Sequence, residues 1–144
     1  MNLFGVLEVS GSALGAERLR AEVVASNMAN AETTRTAEGG PYRRRLLVFR
    51  TRSPFPAPLQ LAGQSRAAGQ GVQVERVVTD PTPPLRRYEP GHPDADAQGY
   101  VAYPAVNPVE EMTDLLSAVR SYELNATAIQ AAKQMIQQSI DLLR

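Results

Sequence analysis

The sequence contains no cysteine and no tryptophan, and it has one histidine, three phenylalanines and five tyrosines. The absence of cysteine excludes disulfide bonds, thiolate chemistry and cysteine metal sites, but it leaves the compartment open. Because the aromatic content is low and many apolar residues are alanine, a single domain of 144 residues would have only a small core. The composition, 43% apolar and 21% charged, fits a soluble protein better than a membrane or fibrous one.

Targeting segments are also missing from the sequence. Residues 1–16 lack a basic stretch and a sustained apolar core, so we expect no cleavable signal peptide. No apolar run is long enough to predict a transmembrane helix. The net charge is zero, yet residues 41–90 hold nine arginines against three acidic residues. The middle of the chain is therefore positively charged, and the flanking segments together are negatively charged.

Residues 107–144 predict one helix of about 55 Å, because no glycine or proline interrupts them after Pro108. Asn107 can cap this helix, Pro108 fits its first turn and Glu110 completes a capping-box spacing. The helix shows heptad spacing, which predicts packing against another helix in a coiled coil rather than an ordinary core helix. Its a positions are Met112, Val119, Ala126, Lys133 and Ile140, and its d positions are Leu115, Tyr122, Ile129, Ile136 and Leu143.

Residues 3–31 predict a second helix with a thinner stripe, formed by Leu7, Leu14, Ala21, Val24 and Met28. Three glycines in its first half each weaken helix formation by up to about 1 kcal/mol, so we expect its order to come from packing. The alternative is a frayed N-terminal arm. Asparagine is a good helix terminator, which places the helix end near Asn30.

All eleven prolines lie between residues 41 and 108, which excludes a long helix there. Strands are predicted at 42–50, 72–78, 85–89 and 99–103, with a loop at 53–71. The predicted fold is therefore mainly α with a small β insert, and its long N- and C-terminal helices pair as a coiled coil. The predicted domains are a terminal-helix assembly domain, 1–36 and 105–144, and a compact β-rich insert, 37–104.

An arginine cluster could contact phosphates, and its members are Arg43, Arg44, Arg45, Arg50 and Arg52. Few aromatic residues accompany it and the net charge is zero, so a solvated face or an interface explains it better than nucleic-acid binding. We expect the three consecutive arginines to lie apart from both helical stripes.

Metal-ligand residue types occur in the run His92, Asp94 and Asp96. Prolines surround this run, so a turn in which aspartates bond their own backbone is favoured over a metal site. With one histidine, no cysteine nucleophile and no glycine-rich phosphate loop, the sequence indicates no enzyme, no cofactor and no small-molecule substrate.

One terminal block runs from Ala25 to Asn30 with Thr33 and Thr34 after it, and a second includes Asn107, Glu111, Met112, the run Arg120 to Glu123, and Asn125. These two blocks resemble the bacterial flagellar rod and hook proteins. A middle block, His92 to Asp96 followed by Gly99 to Val101, is similar to the short proximal rod members of this family.

The resemblance implies a structural subunit of the basal-body rod that self-assembles through its terminal helices, with the insert facing outward, and transmits torque. Implied partners are copies of itself, other rod proteins and the flagellar type III export apparatus, with no nucleic acid and no membrane insertion. It also implies export without a cleaved signal into the periplasm-spanning rod. The expected assembly interface comprises Leu7, Leu14, Ala21, Val24, Asn27, Met28, Asn30, Met112, Leu115, Val119, Tyr122, Ala126, Ile129, Ile136, Ile140 and Leu143. The alternatives are a coiled-coil adaptor that does not polymerise and, more weakly, a nucleic-acid binder.

Overall fold

A computed structural model describes residues 3–52 and 71–142 of the protein. Along the chain, four strands lie between two long helices. The order is α1 (Leu3–Ala29), β1 (Arg45–Arg52), β2 (Gly71–Thr79), β3 (Leu85–Tyr88), β4 (Tyr100–Tyr103) and α2 (Pro108–Asp141). The prediction of two terminal helices around a small β insert is confirmed, and roughly half of the described residues are helical. The pairing of these helices as a coiled coil stays a prediction. Apart from Gly71, which begins β2, the predicted loop at 53–71 lies outside the described residues, as does Leu143.

The start of α2 and the end of α1 lie where they were predicted, whereas α2 ends at Asp141. Asn107 caps α2, because its Oδ1 accepts a hydrogen bond from the Val109 N–H at 3.1 Å and its Nδ2 donates to Glu110 Oε1 at 3.2 Å. At the other helix, Asn30 follows the last residue of α1 and its Nδ2 donates to the Ser26 carbonyl at 2.9 Å. The same carbonyl accepts the Asn30 N–H at 3.1 Å, so both bonds from Asn30 hold the last turn of α1.

The strands form two separate two-stranded sheets, one of β1 and β2 and one of β3 and β4. In the second sheet the strands are antiparallel, and Tyr88 lies opposite Tyr100 with their ring centroids 5.3 Å apart. The turn before β4 requires Gly99, which has a φ of 82°. A Cβ atom there would also lie 2.9 Å from Tyr88 Cε2, so this position favours glycine both by conformation and by space.

The chain divides into two compact units. One unit consists of Arg20–Leu47 and Val77–Leu116, and the other of the described residues within Met1–Leu19, Val48–Arg76 and Ser117–Arg144. The first unit has a mixed core of Val24, Asn27, Tyr42, Val101, Pro104, Val106 and Glu111. The buried residues of the second unit are all small, namely Ser10, Ala16, Gly71, Ala118 and Ala132. Among the described residues of this unit, the large apolar side chains, such as Leu14, Ile129 and Ile136, are at most half-buried.

Within residues 3–52 and 71–142, no helix combines the length and the apolar character needed to cross a lipid bilayer.

Candidate functional site: a buried polar network

The side chain of Asn27 is the centre of a polar network inside the first unit, and only 1% of this residue is exposed. Its Nδ2 donates to the Arg45 carbonyl and to Glu111 Oε2, each at 2.9 Å. Its Oδ1 accepts hydrogen bonds from the Tyr42 hydroxyl and the Arg45 N–H, also at 2.9 Å each. Asn27 therefore uses both N–H groups and both acceptor positions of its amide, which removes the usual cost of burying a polar side chain.

Glu111 is the second buried member of the network and is also 1% exposed. Its Oε2 accepts the bond from Asn27, and its Oε1 lies 2.6 Å from both Nε and Nη2 of Arg44. A buried carboxylate needs this kind of compensation, because an unpaired charge in the interior is expensive to desolvate. The network thus joins α1, the start of the insert and the first turn of α2.

The segment from Tyr42 to Arg45 places its side chains by the alternation of an extended chain. Tyr42 is buried and Arg44 half-buried, whereas Arg43 and Arg45 are exposed. The prediction that all three consecutive arginines lie apart from the helical stripes is wrong for Arg44. Its guanidinium is drawn inward because the buried Glu111 carboxylate on α2 requires a positive partner.

The predicted interface residues of α1 lie mostly on its covered side. Val24 and Asn27 are buried, and the half-buried ones are Leu7, Leu14, Ala21, Met28 and Asn30. About two helical turns before Asn27 on α1, Arg20 makes a second polar contact, because its Nη2 lies 3.1 Å from Asp114 Oδ1 on α2. These two contacts show that the second half of α1 runs antiparallel to the start of α2.

The predicted interface residues of α2 divide between its two sides. The half-buried ones are Leu115, Ala126, Ile129 and Ile136, and the exposed ones are Met112, Val119, Tyr122 and Ile140. The side that the chain itself buries has a seven-residue repeat of Glu111, Ala118, half-buried Asn125 and Ala132. This buried repeat lies one residue before the predicted a positions. The role of the predicted set in assembly stays a prediction.

An exposed apolar row lies on the opposite side of α2. It consists of Val109, Met112, Leu116 and Val119, spaced three, four and three residues apart, and we call it the outer row. Met112 and Leu116 are each 56% exposed. Such a contiguous apolar row is typical of an interaction surface rather than of an isolated soluble helix.

The polar side chains of the turn at residues 92–99 bond the backbone of the turn and, through Asp94, the side chain of Thr34. His92 Nδ1 accepts the Asp94 N–H at 3.1 Å, and the Asp94 carboxylate accepts the Thr34 hydroxyl at 2.8 Å. The Asp96 carboxylate accepts the N–H groups of Tyr100 and Gln98 at 2.9 Å each, which lowers the pKa of Asp96. These bonds agree with the predicted turn. Among the described residues, no group of three or more side chains is arranged to hold a metal ion.

A shallow cleft of about 380 Å³ next to the network offers no reactive group. It is lined by Arg44, Val109, Glu110, Thr113 and Asp114. Its charged side chains already have partners, since Arg44 pairs with Glu111, Asp114 with Arg20, and Glu110 with Asn107. The arrangement can hold chain segments together, and that is a structural rather than a chemical role.

Comparison with known proteins identifies the class. A family model described as "Flagella basal body rod protein" matches residues 7–35, and one described as "Flagellar basal body rod FlgEFG protein C-terminal" matches residues 97–142. These two segments contain Asn27 and Glu111, the buried residues that meet in the network.

Full-length relatives agree with these matches. The chain is 42% identical to the flagellar basal-body rod protein FlgC of Bacillus subtilis, over 99% of each chain. It is 40% identical to FlgC of Borreliella burgdorferi over 100% of this chain and 99% of the relative, and 39% identical to FlgC of Salmonella typhimurium over 99% and 98%. The chain therefore belongs to the flagellar basal-body rod protein family, among the FlgC proteins. Its function is structural rather than enzymatic, and the relatives give no support to a coiled-coil adaptor that does not polymerise.

Proposed function

We propose that this protein builds the proximal rod of the flagellar basal body by packing its two terminal helices against neighbouring subunits, with the outer row of α2 as the principal contact. The observation that carries the proposal is the exposure of that row. Four apolar side chains at helical spacing lie on the side of α2 opposite Glu111 and Ala118, which the chain itself buries. A partner helix would cover the row in a coiled coil.

The weak interior of the second unit supports the same proposal. Its buried residues, among them Ser10, Ala16 and Ala132, have small side chains and contribute little apolar area. A unit of this kind gains most from contacts with other subunits, as is usual in helical assemblies built from one repeated interface.

The proposed organisation is the one that the family resemblance implies. Residues 1–36 and 105–144 form the assembly domain, and residues 37–104 form an insert that faces outward. The partners are further copies of this chain and other rod proteins. By analogy with the family, the subunit passes through the flagellar export apparatus without a cleaved signal and resides in the part of the rod that spans the periplasm, where it transmits torque.

The test places a charge on the outer row. In Leu116→Asp, the new carboxylate stays hydrated in the free subunit, because this position is 56% exposed there, but it must be desolvated in the assembled rod. We expect the purified variant to keep its helical content and thermal stability, and cells carrying it to lack assembled rods and motility.

The matched control is Ser117→Asp, which adds the same charge at the next residue, an exposed polar position outside the row. We expect this variant to enter basal bodies and support motility. Basal bodies that contain Leu116→Asp and Ser117→Asp subunits in equal amounts would contradict the assignment of the outer row.

A further inference from the structure

The hydrogen bonds of Asn27 to Arg45 resemble those of a neighbouring strand. The Arg45 N–H donates to Asn27 Oδ1 and the Arg45 carbonyl accepts from Asn27 Nδ2, both at 2.9 Å. Arg45 is the first residue of β1, so the side-chain amide of α1 satisfies both backbone groups where that strand begins. The attachment of the insert to α1 thus depends on which way the Asn27 amide is turned.

Glu111 favours the same orientation that the two Arg45 backbone groups require. A carboxylate accepts hydrogen bonds and donates none, so the Asn27 atom that lies 2.9 Å from Glu111 Oε2 must be the nitrogen. The Tyr42 hydroxyl cannot fix the orientation equally well, because a hydroxyl can donate or accept. If the amide were reversed, its oxygen would face both the Glu111 carboxylate and the Arg45 carbonyl.

We infer that Glu111 is a positioning residue: it fixes the Asn27 amide in the one orientation that holds the start of β1, so that pairing of α1 with α2 and attachment of the insert occur together. Glu111 itself makes no hydrogen bond to Arg45 among the contacts of the described residues, and it acts through Asn27. The inference concerns the isolated subunit and goes beyond rod assembly. It can fail while assembly through the outer row stands.

Two substitutions at Glu111 separate this role from the charge of the carboxylate. Glu111→Gln and Glu111→Met both remove the negative partner of Arg44 and have similar size and shape. Only glutamine retains an oxygen that can accept from Asn27 Nδ2. Any difference between the two variants at Arg45 therefore reports on the orientation of the Asn27 amide.

The measurement is amide hydrogen exchange of the purified full-length chain, comparing the Arg45 N–H with the Glu89 N–H, which donates to the Gly99 carbonyl at 2.9 Å. We expect the Arg45 amide, relative to that of Glu89, to exchange about tenfold faster in Glu111→Met than in Glu111→Gln. Asp114→Ala, which removes the more exposed pair with Arg20, should leave the ratio unchanged.

Equal Arg45-to-Glu89 ratios in the glutamine and methionine variants would overturn the inference, because the carboxylate would then act only through its charge. A rise of both amides by the same factor in Glu111→Met would overturn it as well, since the effect would be a loss of overall stability. If Glu111→Met fails to fold, the Arg45-to-Glu89 exchange ratio of Glu111→Gln is compared with that of the unmodified protein instead. Retention of most of the Arg45 protection supports the inference, and its full loss contradicts it.

Discussion

Asn27 and Glu111 are 84 positions apart in the chain, yet their side chains meet at 2.9 Å inside the protein. Each comes from one of the two terminal segments that match the flagellar rod family. The contact brings these segments together with the start of the insert, because Asn27 also bonds Arg45 and Glu111 also pairs with Arg44. The buried network therefore connects these three chain segments within the first unit.

Replacing Asn27 with alanine should reduce the free energy of unfolding by about 2 to 4 kcal/mol. The change removes four hydrogen bonds and leaves the Arg45 backbone groups and a Glu111 oxygen short of partners in the interior. Urea unfolding of the purified chain measures the loss. Asn30→Ala is the matched control, and we expect it to cost about 1 kcal/mol because Asn30 is less buried. Equal losses for the two variants would contradict the central position of Asn27.

Gly71→Ala should destabilise the second unit by about 1 to 3 kcal/mol. A Cβ atom at Gly71 would overlap the Ser12 hydroxyl oxygen of α1, which also accepts the Val72 N–H at 3.0 Å. Adding Ser12→Gly should recover part of the loss by removing the obstructing side chain, and the two changes should therefore be non-additive. A Gly71→Ala variant within about 0.5 kcal/mol of the unmodified protein would show that this close approach is not required.

The turn at residues 92–99 should loosen only in acid. Hydrogen bonds from the Tyr100 and Gln98 amides lower the pKa of Asp96 in the folded protein. Because the folded pKa lies below the unfolded one, the carboxylate stabilises the turn at neutral pH, and this contribution is lost as the pH falls through the folded pKa. An NMR titration of the Asp96 carboxyl and the Tyr100 amide measures the midpoint. In Asp96→Asn the Tyr100 amide should lose this transition; an Asp96 midpoint at or above about 3.9 would refute the mechanism.

Ile129→Asp should abolish incorporation into the rod and motility. Ile129 is half-buried on the covered side of α2, where an unpaired carboxylate costs several kcal/mol, unlike the exposed Gln130 beside it. Export should survive, since by analogy with the family the chain passes through its channel unfolded. Gln130→Asp is the control and should leave incorporation into the rod and motility nearly unchanged. Normal motility of the Ile129→Asp strain would mean that this side of α2 has no structural role.

Local sequence signals predicted the secondary structure well. The proline-free run after Pro108 and the capping signals at Asn107 located α2, and the candidates at 42–50, 72–78, 85–89 and 99–103 located all four strands. The buried network was not predicted from the sequence, because the presence of each of its residues is also explained by its neighbours in the chain. Glu111 looks like one more acid in the first turn of a helix, and Arg44 looks like part of a charged run. Only the fold shows that these two residues, 67 positions apart, are partners.

The side of α2 that is buried within the subunit differs from the predicted heptad positions for a related reason. The sequence prediction chose large apolar residues such as Met112 and Val119, whereas the side of α2 that the chain buries has Ala118 and Ala132. Small side chains give a weak signal in a pattern of hydrophobicity, although they permit the closest approach between chain segments. Met112 and Val119 are exposed, and we propose that they make contacts outside the subunit, which hydropathy alone could not distinguish from contacts within it.

The most direct test of assembly through the outer row is protection of single thiols, because the chain contains no cysteine of its own. Met112→Cys and Leu116→Cys place a thiol on the row, and Glu38→Cys places one on an exposed loop of the insert. A water-soluble maleimide is applied to the purified subunit and to isolated basal bodies. The account predicts rapid labelling of all three thiols in the free subunit and protection of those at 112 and 116, but not at 38, in the rod. Equal labelling at 112 and 116 in subunit and rod would contradict it.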